Sequence, residues 1–284
     1  MAKHRRKRKL RIDRIAILIG MILILLFGVS KASSVIINNL KREEEVPSET
    51  EEPVKVDPVY RHAYQWEALD DSGMLYHYED DTYTSRVGID VSHYQGTIDW
   101  NEVKNAGIEF AFIRAGYRGY TTGELHEDTA FRTNMEGALN AGIEVAVYYF
   151  SQAVNAEEGE EEAAYLLSLI QEYPVNVCAY DLEIDRSKDR ARANTVEDST
   201  EAAQAFCRKI TESGYTPLVY GSVSFLNHEL SMADLQDETQ FWLAWYDTSA
   251  PPFPYAFTIW QYSSKGDLPG IDTDVDLNLL FVRK

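Results

Sequence analysis

The chain has 284 residues, 45% hydrophobic and 26% charged, with five Trp and 18 Tyr, a composition able to bury one large core. Its formal net charge of −19 hides an asymmetry, because residues 1–14 hold eight Lys and Arg against a single acid, Asp13, which leaves −26 on the remainder. So acidic a body repels polyphosphates and argues against nucleic acid as a partner.

Directly after the basic head, residues 15–29 read IAILIGMILILLFGV, an unbroken apolar run. It falls short of the ~20 residues that cross a bilayer unaided. Extension to Leu40 supplies the length if Lys31 snorkels at the outer surface. The expectation is a single-pass anchor over 15–40, with residues 1–14 in the cytoplasm and everything after it outside the cell membrane. The alternative is a signal peptide cleaved at Ser30-Lys31-Ala32, giving a secreted protein. Residues 41–58, with EEEVPSETEEPVKVDP, form an acidic, proline-bearing spacer. Residues 59–86 carry Tyr60, Tyr64, Trp66, Tyr76, Tyr78 and Tyr83 without a clear period, and partial packing on the domain beyond them is expected.

From Val87 to the C-terminus, apolar strand-like runs alternate with helical ones. Strands are expected at 87–91, 110–115, 145–150, 175–182, 217–220, 242–245, 257–262 and 275–279. Helices are expected at 100–106, 128–141, 156–172 and 195–213, with Asp128 and Thr195 as N-caps. Gly107, Gly142 and Gly214 stand where helices should stop. Eight strands with helical crossovers only between the early ones imply an irregular α/β barrel over 87–284 whose late helices are reduced or missing.

In such a barrel the reactive groups collect at the C-terminal ends of the strands. The stretch VNVCAYDLEIDR, 175–186, is a buried strand ending in Asp181 and Glu183, spaced so that both leave one face. Desolvation and mutual repulsion there favour a protonated form of at least one of them. An isolated Asp-x-Glu is most simply an acidic strand-to-loop junction, so the context decides. Asp90 in GIDVSHYQG and Asp276 in DVDLN fall at the same mouth. Tyr148, Tyr149, Tyr220, Trp242, Trp245, Tyr246, Trp260 and Tyr262 arrive with them. Acids ringed by aromatics suit a carbohydrate, whose C–H faces stack on rings while its hydroxyls bond to carboxylates.

The ordered set GIDVSHYQGTIDW, FAFIRAGYR, Asp128, Phe131 and Asn134, VAVYYF, AYDLEI, FWLAWY, and TIWQYSS with VDLN after it resembles the glycoside hydrolase family 25 lysozymes. The likeness runs from about Val87 to the C-terminus. It implies five β/α units and then three strands, and cleavage of the β-1,4 bond between N-acetylmuramic acid and N-acetylglucosamine in peptidoglycan, with retention and no cofactor. By this resemblance Glu183 is similar to the general acid, and Asp181 to the acid that positions the substrate's 2-acetamido group. Asp90 and Asp276 match the remaining two carboxylates. Direct attack by Asp181 on the sugar is the competing reading. Tyr148, Tyr220, Trp242, Tyr246, Gln261 and His93 are the candidate substrate contacts. Tyr149 departs from the pattern, standing where many members carry His. The family 18 chitinases, whose longer motif needs Asp at 176 and 179, fit poorly, because Asn176 and Ala179 stand there.

Weaker readings surround this one. His93 lacks the spacing of a metal pair, so no metal is expected. Arg186, in the mixed-charge loop after the acids, is a rim residue that could grip a substrate carboxylate. Cys178 and Cys207 are small buried hydrophobes, with a bridge as the alternative. A monomer is expected. A non-catalytic glycan-binding module on the same fold is the alternative function.

Overall fold

The computed structural model describes residues 61–237, 239–246 and 250–284. The expected anchor at 15–40 and the spacer at 41–58 lie outside the described residues; among the described residues no helix is long and apolar enough to cross a membrane.

A hairpin of β1 (Leu69–Asp70) and β2 (His77–Tyr78) precedes β3 (Tyr83–Val91), α1 (Trp100–Asn105), β4 (Phe110–Arg118), β5 (Leu125–Glu127) and α2 (Phe131–Asn140). Next come β6 (Glu144–Ser151), α3 (Ala156–Ile170), β7 (Val177–Leu182), α4 (Val196–Glu212), β8 (Thr216–Ser222), α5 (Val223–Glu229) and α6 (Met232–Leu235). The chain ends with β9 (Gln240–Ala244), β10 (Ile259–Gly266) and β11 (Val275–Arg283). The sheet runs β3, β11, β10, β9, β8, β7, β6, β4, and a parallel β3–β4 pairing closes it into an eight-stranded barrel. Five strands each lead into helix, and β9, β10 and β11 then succeed one another without one. All pairings in the barrel are parallel except those of β11, which lies antiparallel between β10 and β3.

Local sequence explains most boundaries. Thr195 and Asp198 form a reciprocal capping box at the start of α4, and Asn155 caps α3 by accepting from Glu158 N–H at 2.9 Å. Gly107, Gly142 and Gly214 come after the ends of α1, α2 and α4 with φ of 102°, 71° and 87°, values that suit a residue without Cβ. Asp128 is not the cap of α2. That place belongs to Ala130, and the Asp128 side chain is drawn instead to Arg114 and His93. The barrel boundary placed at Val87 falls inside β3, which begins at Tyr83.

Strand alternation divides the core in two. Phe110, Phe112, Tyr148, Ala179, Leu218, Trp242 and Ile259 fill the barrel, while Ala111, Ile113, Val147, Cys178 and Tyr180 face outward into the layer beneath the helices. At Gly88 a Cβ would sit 2.4 Å from the Phe110 ring, so the interior admits no side chain there. Cys178 and Cys207 are both buried. Burial raises the Cys178 thiol to about 12, and Cys207 Sγ lies 3.8 Å from Thr239 Oγ1.

The late strands lack helices, and their outer faces are covered by the aromatic segment before β3. Tyr64 stacks on Phe281 with centroids 3.9 Å apart and donates to Phe257 O at 2.6 Å. Trp66 stacks on Phe257 and meets Trp260 edge-on. Tyr76 stacks on Tyr262 at 4.1 Å, and Tyr262 Oη donates to Met74 O at 3.2 Å. These rings shield the apolar outer side of β10 and β11, a task that helices perform on the early strands. We therefore expect Tyr64→Ala to lower the unfolding free energy by about 2 to 4 kcal/mol in urea titrations. Beginning the chain at Val87 should lower the melting temperature well below that of a chain beginning at Arg61.

Candidate active site

The site is built on strand register. Asp90 near the end of β3 lies directly opposite Asp276 near the start of β11, and Gln261 on β10 lies opposite Asn278. Asp181, next to the last residue of β7, lies beside Tyr220 on β8, and Tyr220 lies beside Trp242 on β9. Alternation turns all of these inward, so Asp90, Asp181, Glu183 and Asp276 line one pocket of about 180 Å³ at the C-terminal mouth of the barrel. Tyr148, Tyr220, Trp242 and Gln261 line it too, joined by Tyr94, Gln95 and Arg114. A second hollow of about 580 Å³ adjoins it across Glu183 and Tyr220, with Tyr120, Phe225 and Tyr246 in its wall. Tyr94, Tyr120 and Tyr246 are exposed to 70%, 41% and 53%, which leaves large aromatic faces open along a groove with Glu183 at its middle.

One hydrogen-bond network fixes Asp90. The Trp242 indole can only donate, and its bond to Asn278 Oδ1 at 2.8 Å turns the amide nitrogen of Asn278 toward Asp90 Oδ2, also at 2.8 Å. The hydroxyls of Tyr220 and Tyr246 donate to Gln261 Oε1 at 2.8 and 2.6 Å, so Gln261 Nε2 likewise faces Asp90 Oδ2, at 2.8 Å. Burial raises the Asp90 carboxyl, these donors oppose the rise, and the balance is about 6. Among the described residues Asp276 has no such amide donors. Burial and then the charge of Asp90 push it to about 8, so it carries the proton between the two acids.

Asp181 and Glu183 differ in setting. Asp181 is 7% exposed and its Oδ1 has no hydrogen-bond partner among the described residues. Burial first, and then the charges of Glu183 and Asp90, raise its carboxyl well above the ordinary range, with Arg114 opposing. Glu183 stands at the open rim, and the protein packed behind it raises its carboxyl as well. Among the described residues Arg114 is the one basic side chain lining the pocket, and Asp128 holds it through Nε and Nη2, both at 2.7 Å. Burial alone would raise Asp128, yet the Ala130 N–H, His93 and Arg114 together keep it below the ordinary range.

Several expected contacts are placed elsewhere. His93 lies behind Tyr94, its Nδ1 3.0 Å from Asp128 and outside the set lining the pocket. Tyr149 faces outward and is fully buried near Tyr165, away from the groove. Trp260 and Tyr262 also face outward, under Trp66 and Tyr76. Tyr246 reaches the network through Gln261 and otherwise walls the second hollow. Arg186 forms a forked pair with Glu229 on α5 and so is engaged within the protein. Asn278 and Arg114 belong to the site although their sequence context does not single them out. Asn278 lies two residues after Asp276 and so shares its face, and Arg114 is a lone charge inside an apolar strand. Among the described residues no group of His, Cys, Asp and Glu is arranged to hold a metal ion.

A barrel that gathers four carboxyls and open aromatic faces in one groove has the layout of an enzyme acting on glycosidic bonds. Residues 89–271 match the model of glycosyl hydrolases family 25, and the chain belongs to that family. It is 31% identical over 211 residues to Lysozyme M1 of Streptomyces globisporus, covering 67% of this chain and 66% of that one. It is 26% identical over 192 residues to the autolytic lysozyme of Clostridium acetobutylicum, covering 67% of this chain and 54% of the relative. The chain thus spans about two thirds of one of these relatives and about half of the other. The crystal structure of a bacterial lysozyme from Streptomyces coelicolor superposes with a TM-score of 0.58 at 28% identity, covering 68% of this chain and 90% of that one.

The raised carboxyls have a consequence for stability. Asp276 moves from an ordinary 3.8 to about 8 on folding, so the folded protein holds a proton that the unfolded chain releases. Its contribution is complete below about pH 4 and is lost as pH rises toward about 8. We expect the melting temperature to fall over that window, and Asp276→Asn to flatten the fall, in calorimetry across a pH series.

Proposed function

We propose that this chain is an N-acetylmuramidase that cleaves the β-1,4 bond between N-acetylmuramic acid and N-acetylglucosamine in peptidoglycan. The observation that carries the reading is the pairing of a sealed acid with an open one two residues apart, Asp181 and Glu183, in a pocket with Asp90 and Asp276. Membership of a family whose relatives include Lysozyme M1 supports the same substrate.

Glu183, at the junction of the two hollows, donates its proton to the glycosidic oxygen as the bond breaks. Asp181, with an oxygen unengaged by protein, accepts the N–H of the substrate's 2-acetamido group and aims the amide oxygen at the anomeric carbon. Attack by that oxygen gives a cyclic intermediate on the opposite face. Water then opens it, with Glu183 as base, so configuration is retained. Asp90 and Asp276, which share one proton between them, place a single negative charge beside the sugar. Tyr94 on one side and Tyr120 with Tyr246 on the other offer stacking faces to successive sugars.

Glu183→Gln should lower the release of new reducing ends from purified wall by about a hundredfold to ten-thousandfold while leaving wall binding in place. Turnover by that variant at the original rate would overturn the reading. Because the acid must hold its proton, kcat/KM should fall as pH rises through the Glu183 pKa, which burial sets above the ordinary value near 4.5. Proton NMR of the first product should show the β anomer.

The proposal extends to location. The basic head and the apolar run at 15–29 support a membrane anchor that presents the barrel on the outer side, where the wall lies. Carbonate washing of membranes should leave the full chain in the pellet. Its recovery in the medium, beginning near Ala32, would support the secreted alternative.

A further inference from the structure

Glu183 is the first residue beyond β7, where the strand ladder gives out. Its backbone N–H reaches Ser151 O at 3.4 Å. Its carbonyl accepts from the side-chain amide of Gln152, a residue only 2% exposed. The same nitrogen donates to Ser151 O at 2.9 Å, and the amide oxygen of Gln152 accepts from Asp185 N–H at 3.4 Å. One buried side chain therefore grips the main chain on both sides of the loop turn that starts at Glu183.

Gln152 is itself anchored. Its carbonyl accepts from Arg190 Nη2 at 2.8 Å, and Arg190 forms a two-pronged pair with Glu158 at 2.7 and 2.6 Å. Glu158 also takes Val154 N–H at 3.1 Å, which fastens the loop carrying Gln152 to the first turn of α3. Beneath it, buried Arg118 donates to Glu158 O at 2.9 Å and to fully buried Glu162 at 2.7 Å. A forked arginine–carboxylate pair fixes direction as well as distance. The charged groups thus form a rigid footing on α3, and a neutral amide transmits it to the acid without adding charge beside Glu183.

We propose that Gln152, braced by Arg190 and Glu158, is a positioning residue that holds the main chain of Glu183 so that its carboxyl meets the glycosidic oxygen. The inference rests on the reading of Glu183 as the general acid. Proton donation requires hydrogen-bond reach, and a misplacement of about 1 Å costs on the order of a hundredfold in rate. Gln152 lines neither hollow. Its effect therefore falls on proton donation and not on sugar binding.

The test compares two substrates in the full chain: wall glycan, and an aryl glycoside of the same sugar whose dinitrophenolate leaves without needing a proton. Gln152→Met keeps the volume and removes both amide bonds. It should lower kcat on wall glycan by about tenfold to a hundredfold with KM little changed, and leave kcat/KM for the aryl glycoside, which reports bond cleavage and not the later water attack that uses Glu183 as base, within about twofold. Glu183→Gln should show the same preference for the activated substrate in stronger form. Equal losses on both substrates, or an unchanged rate on wall glycan, would overturn the inference. Should Gln152→Met fail to fold, Arg190→Met removes the brace and keeps the amide, and it should give the same selectivity at smaller amplitude. Normal cleavage of wall glycan by Glu183→Gln would overturn the acid assignment as well. An inactive Glu183→Gln beside an unaffected Gln152→Met would overturn this inference alone.

Discussion

The antiparallel seam between β3 and β11 is the constraint on which the rest depends, because closing the barrel there sets two carboxyl groups face to face. Asp90 and Asp276 are register partners, so they meet wherever that pairing forms. Two like charges facing each other across that seam are unfavourable, and the fold resolves the conflict by treating them differently. Asp90 receives amide donors from Asn278 and Gln261, whereas Asp276 keeps a proton. The orientation of both amides is dictated in turn by Trp242, Tyr220 and Tyr246, side chains that also wall the groove. Barrel closure and the charge state of the site are consequently one arrangement.

The same division of labour appears at Asp181 and Glu183. Closely similar carboxyls two residues apart acquire two roles because the barrel seals the first and leaves the second at its rim. Arg114 tempers the sealed acid from within the pocket, and Asp128 holds that arginine from behind. The second acid is held through its backbone by Gln152, leaving its carboxyl open at the groove. The inner pocket is walled mainly by strand residues, with Tyr94 and Gln95 from the short helical turn after β3 and Glu183 from the loop after β7.

Where helices are missing, the chain uses its own leading segment. Residues 62–83 lay Tyr64, Trp66, Tyr76 and Tyr78 on the outer faces of β10 and β11, and Tyr64 and Tyr262 tie main-chain carbonyls across the contact. Rings suit this task because one segment without helical repeat must cover a broad apolar surface with few residues. The covering lies on the outer side of the barrel, so it completes the core without crowding the mouth. It also means that the aromatic segment belongs to the folding unit of the enzyme and is more than a tether.

Much was legible in the residues themselves. Alternation and glycine punctuation located all eight barrel strands and four of the six described α-helices, since side-chain period and helix stops are local properties. The spacing of Asp181 and Glu183 placed both acids on one face for the same reason. Register across distant strands is not local. It brought Asn278 and Gln261 to Asp90, turned Trp260 and Tyr262 away from the groove, and drew Asp128 from its expected cap into the Arg114 pair. The amino-acid order alone determined which residues could serve in a glycan-cleaving site. Tertiary structure decided which of them meet in one pocket and which carboxyls burial raises, because burial and hydrogen-bond partners exist only once the strands have closed on one another.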